Sequence, residues 1–392
     1  MTLFWQILFW ISLGGLSIAY VFYPALVIVL SRFKSQRATT EILPENWPEV
    51  DIVFAAFNEE AVLQDKIETL LALNYPPEKL NFRIGSDNST DATNTILKQW
   101  AKKDDRFKIK LFKSRQGKSN IINQLVPEST ADFLFLTDAN ILFHPDSLRK
   151  LVLKLVSNRK TGAVGAEIFY TSPSKQGISK QENTYLQIEN KVKLGESNLW
   201  KAAMGLEGGA YLIRRELFPE IPPLFFMEDF FVSMHLFKHR YQVLWEPQAQ
   251  VFEDVSVSPQ EEYRRKVRIS IGNFQNLAYY KGLILKRFWP IGLSFIGHKV
   301  LRWFSPFFLL LLLISAPQLA LDHWFYSLTA GFYMLFIGLG LFGILFSQKN
   351  KAGVLKYPGH FIYMNLALLD GFLTYIKGIK TNAWQPTARK QV

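Results

Sequence analysis

Three short polar turns carry the side chains best suited to chemistry. Phe57-Asn58-Glu59-Glu60 follows an apolar run that ends at Ala56. Ser86-Asp87-Asn88-Ser89-Thr90-Asp91 follows a second run, and Thr137-Asp138-Ala139-Asn140 follows another. Unpaired carboxylates gathered at one edge repel each other, so Glu59, Asp87 and Asp138 together call for a cation or for the donor groups of a ligand. The second turn equally suits a helix N-terminus, where Ser, Thr and acidic residues are ordinary. No glycine-rich dinucleotide fingerprint follows the first run, and no P-loop lysine motif occurs. Both absences disfavour nicotinamide redox and P-loop ATPase chemistry. The chain has no cysteine, which excludes a thiol nucleophile, a cysteine-ligated metal and a disulfide scaffold.

The elements that must hold these turns alternate. Asp51 to Ala56 reads as a strand, and Ala61 to Leu73 as a helix with Val62, Leu63, Ile67, Leu70 and Leu71 at helical spacing. Strands follow at Phe82 to Gly85, Phe107 to Phe112 and Phe133 to Leu136. The helices between and after them are Ala92 to Lys102, Ser119 to Leu125 and about Asp146 to Val156. Such alternation predicts βαβ units and a mostly parallel sheet. Ligands bind these sheets outside the carboxyl ends of the strands, where the polar turns lie.

The chain of 392 residues is 49% hydrophobic, 15% aromatic and only 20% charged, with a formal charge of +12. That composition excludes a disordered chain. Met1 to Leu30 carries no charge, and a helix of that length reaches about 45 Å against a hydrocarbon core of ~30 Å. It is too long for a cleaved leader and lacks a basic start, so a retained anchor is expected over 1–31. Trp5, Trp10, Tyr20 and Tyr23 are expected near its interfaces. A soluble domain is expected over 45–257, then an interfacial segment over 258–299. In that segment Lys281, Lys286, Arg287 and Lys299 interleave with Leu283, Ile284, Phe288, Trp289 and Ile291, as in helices lying on an anionic lipid face. Residues 300–378 hold further apolar runs at about 303–321, 324–348 and 359–376, the last either spanning or interfacial. Asp322 and His323 form a hairpin between the first two. Arg32, Lys34 and Arg37 after the anchor, and Lys349, Lys351 and Lys356 after the third run, place the soluble domain in the cytoplasm by the positive-inside rule. The tail is also basic, with Lys377, Lys380, Arg389 and Lys390. The positive charge is thus spent on topology, and no nucleic acid partner is expected.

With these motifs and spans in place, the chain resembles the membrane-bound family-2 glycosyltransferases, the group that includes bacterial cellulose, hyaluronan and poly-N-acetylglucosamine synthases. Ala56-Phe57-Asn58-Glu59-Glu60 is similar to the family's A-Y-N-E-E turn, and Asp87-Asn88-Ser89-Thr90-Asp91 to its D-x-S-x-D element. Gly117-Lys118, followed by Asn120 and Asn123, resembles the G-K segment. Thr137-Asp138-Ala139-Asn140 stands where D-x-D belongs. Gly208-Gly209-Ala210 resembles the G-G-A segment, Met227-Glu228-Asp229 the E-D motif, and Arg264 to Arg268 takes the place of Q-x-x-R-W. The resemblance implies a glycosyltransferase-A-type, Rossmann-like mixed sheet in the cytoplasm, flanked by one N-terminal and two or three C-terminal transmembrane helices, in a bacterial inner membrane.

The resemblance also implies roles. Asn58, Glu59, Asp87 and Lys118 border a nucleotide-sugar donor, with a uridine diphosphate sugar favoured. Asp87 suits the uracil imide N–H, because an ionised acceptor makes the stronger hydrogen bond. Asp138, with Asn140, would hold Mg2+ or Mn2+ to neutralise the diphosphate leaving group. Asn140 departs from the second Asp of the motif and brings no charge. Asp229 is the expected general base for the acceptor hydroxyl, in a single displacement with inversion. Gly208, Gly209 and Glu228 lie on the acceptor side. Arg265 and Arg268, three apart on one helix face, could clamp the diphosphate. Ile269 replaces the motif's Trp, which puts processive polymerisation in doubt. A saccharide acceptor and exopolysaccharide or envelope-glycan synthesis lead, with a single-step glycolipid transferase as the alternative. A polymer function would favour a homo-oligomer or an export partner in the lipid bilayer. A non-catalytic subunit of an export complex is the alternative of another class. A nucleotidyltransferase would not explain Glu228-Asp229.

Overall fold

The computed structural model describes residues 2–34, 44–171, 178–253, 259–346 and 356–382. Arg37, Lys349, Lys351, Arg389 and Lys390, used above for orientation, lie outside the described residues, as do 254–257. The chain divides into two units. One contains Ser31–Ser172, Lys193–Val257 and Ile379–Val392; the other contains Met1–Leu30, Pro173–Val192 and Ser258–Gly378.

The first unit is built on eight strands: β1 (Val50–Ala56), β2 (Leu80–Ser86), β3 (Phe107–Leu111), β4 (Phe133–Thr137), β5 (Ile141–Phe143), β6 (Thr161–Tyr170), β7 (Ala210–Arg214) and β8 (Gln242–Glu253). Their order is β3-β2-β1-β4-β7-β6-β8-β5. β3, β2, β1 and β4 run parallel, as their alternation with helices predicts. β7 lies antiparallel to both β4 and β6, β8 is parallel to β6, and β5 is antiparallel to β8. The sheet is therefore mixed. Every residue of β1 is buried, as expected of a central strand covered on both faces. Helix Glu60–Leu71 turns Leu63, Ile67 and Leu70 onto the sheet, and helix Lys118–Leu125 turns Ile121, Ile122 and Leu125. Leu63, Ile67 and Leu70 share one buried cluster with Phe54, Phe82 and Phe135.

The second unit is helical. Thr2–Phe33 forms one apolar helix long enough to cross a membrane, and Trp324–Leu345 is another. Over the run expected at 303–321, helix Ser305–Gln318 begins after a break at Phe304. Phe288–Trp303 and Ser305–Gln318 meet at 63°. Pro306 suits the break: it has no N–H to continue the ladder to Arg302 O, and proline is at home in the first turn of the new helix. Ser305–Gln318 spans only about 21 Å, too short to cross alone. Helix Lys356–Lys377, over the weaker run at 359–376, is not among the described helices apolar enough to span. Tyr20 and Tyr23, expected near the membrane interfaces, each contact protein. Tyr20 Oη donates to Ser305 Oγ at 3.1 Å, and the Tyr23 ring stacks on His298. Both face protein, because a phenol or ring edge in an apolar layer needs a polar partner.

Pro173–Val192 belongs to this helical unit through one buried carboxylate. Glu189 accepts from Arg302 Nη1 at 2.6 Å, lies 3.0 Å from His298 Nε2 and pairs with Lys299. Arg302 Nε donates to Ala19 O at 3.2 Å. Ala19 lies in a π turn, Ile18–Phe22, which displaces a carbonyl from the regular ladder. Charges are tolerated at such depth only when paired in this way.

Candidate active site

The turns after β1 and β2 are zipped together. Asn58 and Asn88 have φ of 52° and 58°, a region Asn enters more easily than most residues. Asn58 Nδ2 donates to Thr90 Oγ1 at 3.2 Å, and Thr90 N–H donates to Asn58 Oδ1 at 2.8 Å. Glu59 N–H donates to Thr93 Oγ1, Glu60 N–H to Asp91, and Ala92 N–H back to Glu60. Asp87, fully buried, accepts Gln116 N–H at 2.5 Å, Gly117 N–H at 3.1 Å and Arg115 Nε–H at 3.1 Å. The Arg115 guanidinium lies 3.3 Å from the Phe57 ring centroid. Asp87 thus holds the segment before Lys118; it does not present a bare carboxylate to solvent. Gly117, at φ 81°, makes the left-handed turn into the helix, which a side chain would strain.

Lys118, the first residue of that helix, bridges two of the expected site residues. Its Nζ donates to Asp138 Oδ1 at 2.6 Å and pairs with Glu228 Oε1 at 2.5 Å. The helix is fixed against the chain before Glu228 by Asn123, whose amide exchanges bonds with Ile221 N–H and C=O at 2.9 and 2.7 Å. Ser119 Oγ donates to Phe225 O. Met227, at φ 54°, makes a left-handed turn immediately before Glu228; strained non-glycine residues of this kind persist where the surroundings over-determine them, commonly at active sites. Asp229 opens helix Glu228–Lys238, is 6% exposed, and accepts Phe230 N–H at 2.7 Å. Ser233 on this helix accepts Leu206 N–H at 2.8 Å, which ties in the turn carrying Gly208. A Cβ on Gly208 would stand 3.1 Å from Lys118 Nζ, 3.4 Å from Asp229 Oδ2 and 3.8 Å from Asp138 Oδ2. Five expected residues, Lys118, Asp138, Gly208, Glu228 and Asp229, therefore meet at one point.

Electrostatics separates the members of this cluster. Burial raises the Asp229 carboxyl, and Glu228 raises it further. Lys118 and the Phe230 N–H offset part of this, leaving it at about 7. Burial works to lower Lys118, but Asp138 and Glu228 outweigh it and hold the ammonium above the ordinary lysine range. The cluster therefore contains a carboxyl able to take up a proton near neutrality beside a fixed cation. Lys118, Thr137, Gly208, Tyr211 and Glu228 line a small cavity there.

The remaining expected residues are placed as follows. Asn140 Nδ2 donates to Glu253 Oε1 at 3.3 Å, which leaves its carbonyl oxygen for other use. Gly209 O accepts the Thr137 hydroxyl at 2.6 Å. Arg265 lies 3.6 Å from Glu262, one helical turn away, on helix Pro259–Lys286; Arg268 is on the same helix. Both belong to the helical unit. Three residues escaped the sequence. Arg115 has no fixed spacing to betray it. Tyr211 was hidden in an apolar run, yet it is fully buried near Glu228, Asp229 and Asp138, where burial and then those carboxylates hold its hydroxyl well above the usual tyrosine range. Lys66 had one legible signal, a charge three residues from Leu63 on an otherwise apolar helix face.

Among the described residues no three acidic, His or Cys side chains are arranged to hold a metal by themselves. The donor set fits a hard cation shared with a diphosphate, which takes one or two carboxylates from protein and the rest from phosphate and water. Asp138, with a side chain 38% exposed, would supply one such carboxylate.

Residues 51–221 match the family described as Glycosyl transferase family 2. A poly-beta-1,6-N-acetyl-D-glucosamine synthase from Staphylococcus epidermidis is 24% identical over 62% of this chain and 57% of its own length. A beta-monoglucosyldiacylglycerol synthase from Nostoc sp. is 28% identical over 61% of this chain and 52% of its own. The chain spans little more than half the length of these curated relatives. Among solved structures, the mannosyltransferase PcManGT from Pyrobaculum calidifontis, in complex with GDP-Man and Mn2+, superposes with a TM-score of 0.64 at 17% identity. It covers 94% of this chain and 99% of its own. The chain thus has the glycosyltransferase-A fold, and its residues 51–221 are similar to glycosyltransferase family 2.

Proposed function

We propose that this protein is a family-2 glycosyltransferase that moves a sugar from a nucleotide diphosphate to a hydroxyl of a membrane-held acceptor, with inversion. The observation that carries the reading is the meeting of Lys118, Asp138, Glu228 and Asp229 beside Gly208. Asp229 is placed to accept the proton of the attacking hydroxyl, and its raised carboxyl matches that task near neutral pH. Gly208 leaves room for the acceptor where a side chain would press on both Lys118 and Asp229. Lys118 exchanges its carboxylate partners for the donor's diphosphate, a charge-assisted contact of the same kind. Asp138, with the Asn140 carbonyl oxygen, would hold Mg2+ or Mn2+, which neutralises the charge developing on the leaving diphosphate. The Asp87-anchored loop, with Arg115 over Phe57, borders the nucleoside. A uridine diphosphate sugar is the favoured donor.

The apolar helices support work at a membrane face, and the basic flanks favour the cytoplasmic face of a bacterial inner membrane. A glycan or a lipid serves equally as the hydroxyl donor at that surface. The different-class alternative, a non-catalytic subunit of an export complex, leaves the buried Asp229 and its raised carboxyl without a purpose. The test is to incubate the purified protein in lipid with a panel of nucleotide sugars, follow nucleotide release with and without metal, and weigh the product. A mass ladder identifies a polymer synthase and a single increment a one-step glycolipid transferase. Nucleotide release and sugar transfer absent with every donor would overturn the reading.

A further inference from the structure

Lys66 is fully buried, yet both of its hydrogen-bond partners are neutral oxygens. Its Nζ donates to Thr137 Oγ1 at 3.0 Å and to Ile141 O at 2.7 Å. These two atoms bracket the turn Asp138-Ala139-Asn140. Thr137 spends its own proton on Gly209 O at 2.6 Å, so its oxygen is left as an acceptor and Lys66 must be the donor. The remaining surroundings are aromatic, with the Phe143 ring centroid at 4.0 Å and that of Phe54 at 5.4 Å. Burial pushes the Lys66 amine well below the usual lysine range, against the pull of Asp138.

A lysine in this position is costly. Removing an ammonium from water costs several kcal/mol even after relaxation, and two neutral acceptors with two ring faces return only part of that. An apolar side chain of the same length would fill the space between Phe54 and Phe143 more cheaply. Packing alone does not account for the residue, but the turn it braces does. One bond chain runs Lys66, Thr137, Gly209, and it joins the Asp138 turn to the Gly208-Gly209 turn from beneath.

Resting on the donor-site reading above, we propose that Lys66 is a positioning residue for the donor centre: it pins both ends of the Asp138-Ala139-Asn140 turn and, through Thr137, locks that turn to the acceptor-side turn. Lys66 touches no substrate. It fixes how far Asp138 and Asn140 reach toward a cation, as outer hydrogen-bond partners do at other metal centres.

The test uses the full chain in lipid, with Mn2+ and uridine diphosphate as probes. Mn2+ binding is read by electron paramagnetic resonance and by calorimetry, without turnover. Lys66→Met keeps the length and removes the donor. Its Tm is expected to stay level or rise, because an apolar replacement of a buried charge is often neutral or stabilising. Its Mn2+ affinity is expected to fall by about 10–100-fold, the usual effect of losing an outer-shell partner. Thr137→Val should show the same fall, and the double variant should lose no more than either single one, because both cut one chain. A Met variant that binds Mn2+ like the wild type, or one that fails to fold, would overturn the proposal; so would additive losses in the double variant. A wild-type protein that binds neither probe would remove the donor-site reading first and this inference with it.

Discussion

Replacing Asp229 by Asn changes almost no volume but removes a titrating group from the centre of the site. In the folded chain that carboxyl lies at about 7, against 3.8 for an unperturbed aspartate. At about 1.36 kcal/mol per pH unit, the folded chain binds this proton more tightly by on the order of 4 kcal/mol. A raised acid stabilises the fold fully below the unfolded value, and that stability is lost as the pH rises through the folded value. The loss therefore accumulates between pH 3.8 and about 7. The Asn variant has no such loss. Its advantage over the native chain should be near zero at the acid end and level off above neutrality at as much as ~4 kcal/mol. Activity should move the other way. Loss of a general base costs about 10²–10⁴-fold in rate, or about 2.7–5.4 kcal/mol in the barrier. Thermal unfolding in chelator, which keeps any cation off Asp138, reads the first effect across pH. Sugar transfer and nucleotide binding read the second. An Asn variant no more stable than the native chain at about pH 8 would refute the electrostatic reasoning. Transfer within tenfold of native, or an equal loss of donor binding, would remove Asp229 as the base.

Other outcomes follow from the same geometry. Excess chelator should stop turnover, and Asn140→Asp should let less metal restore it; undiminished activity in chelator would remove Asp138 as a metal ligand. Gly208→Ala sets a Cβ 3.1 Å from Lys118 Nζ and 3.4 Å from Asp229 Oδ2. Its turnover should fall by roughly 10–100-fold with Tm little changed, and kinetics beside calorimetry would check both. Glu189→Gln leaves Arg302, His298 and Lys299 without their shared carboxylate. It should destabilise the helical unit by about 3–5 kcal/mol, visible as a lower Tm in lipid; an unchanged Tm would mean that solvent or lipid screens the cluster.

What the sequence made legible was local. β1, β2, β3 and β4 each announce themselves as short apolar runs between helical patterns, and the turns after β1, β2 and β4 stand out as acidic. The insertion of β7 against β4, and the pairing of β6 with β8, join residues far apart in sequence and carry no periodic signal. The helix break at Phe304 was written in Ser305-Pro306, but hydropathy masked it, because both sides of the break are apolar. Site residues on motif turns were visible. The bonds that brace the turns were not: those of Arg115 and Thr137 exist only in the folded chain, and Lys66 offered one signal, a charge on an otherwise apolar helix face.

A carboxylate committed to the chain's own backbone is a poor judge of nucleobases. Asp87 accepts from Gln116, Gly117 and Arg115, so its loss would undo the loop whatever base lies there. Under the proposed reading, discrimination between bases falls to the side chains around that loop, Arg115 against Phe57 above all. Those can be exchanged while Asp87 keeps the loop in place and Asp138 and Asp229 keep their posts. Donor preference is in this sense a replaceable fitting on a permanent frame, and a laboratory evolution of nucleotide choice should begin at positions 57, 115 and 116.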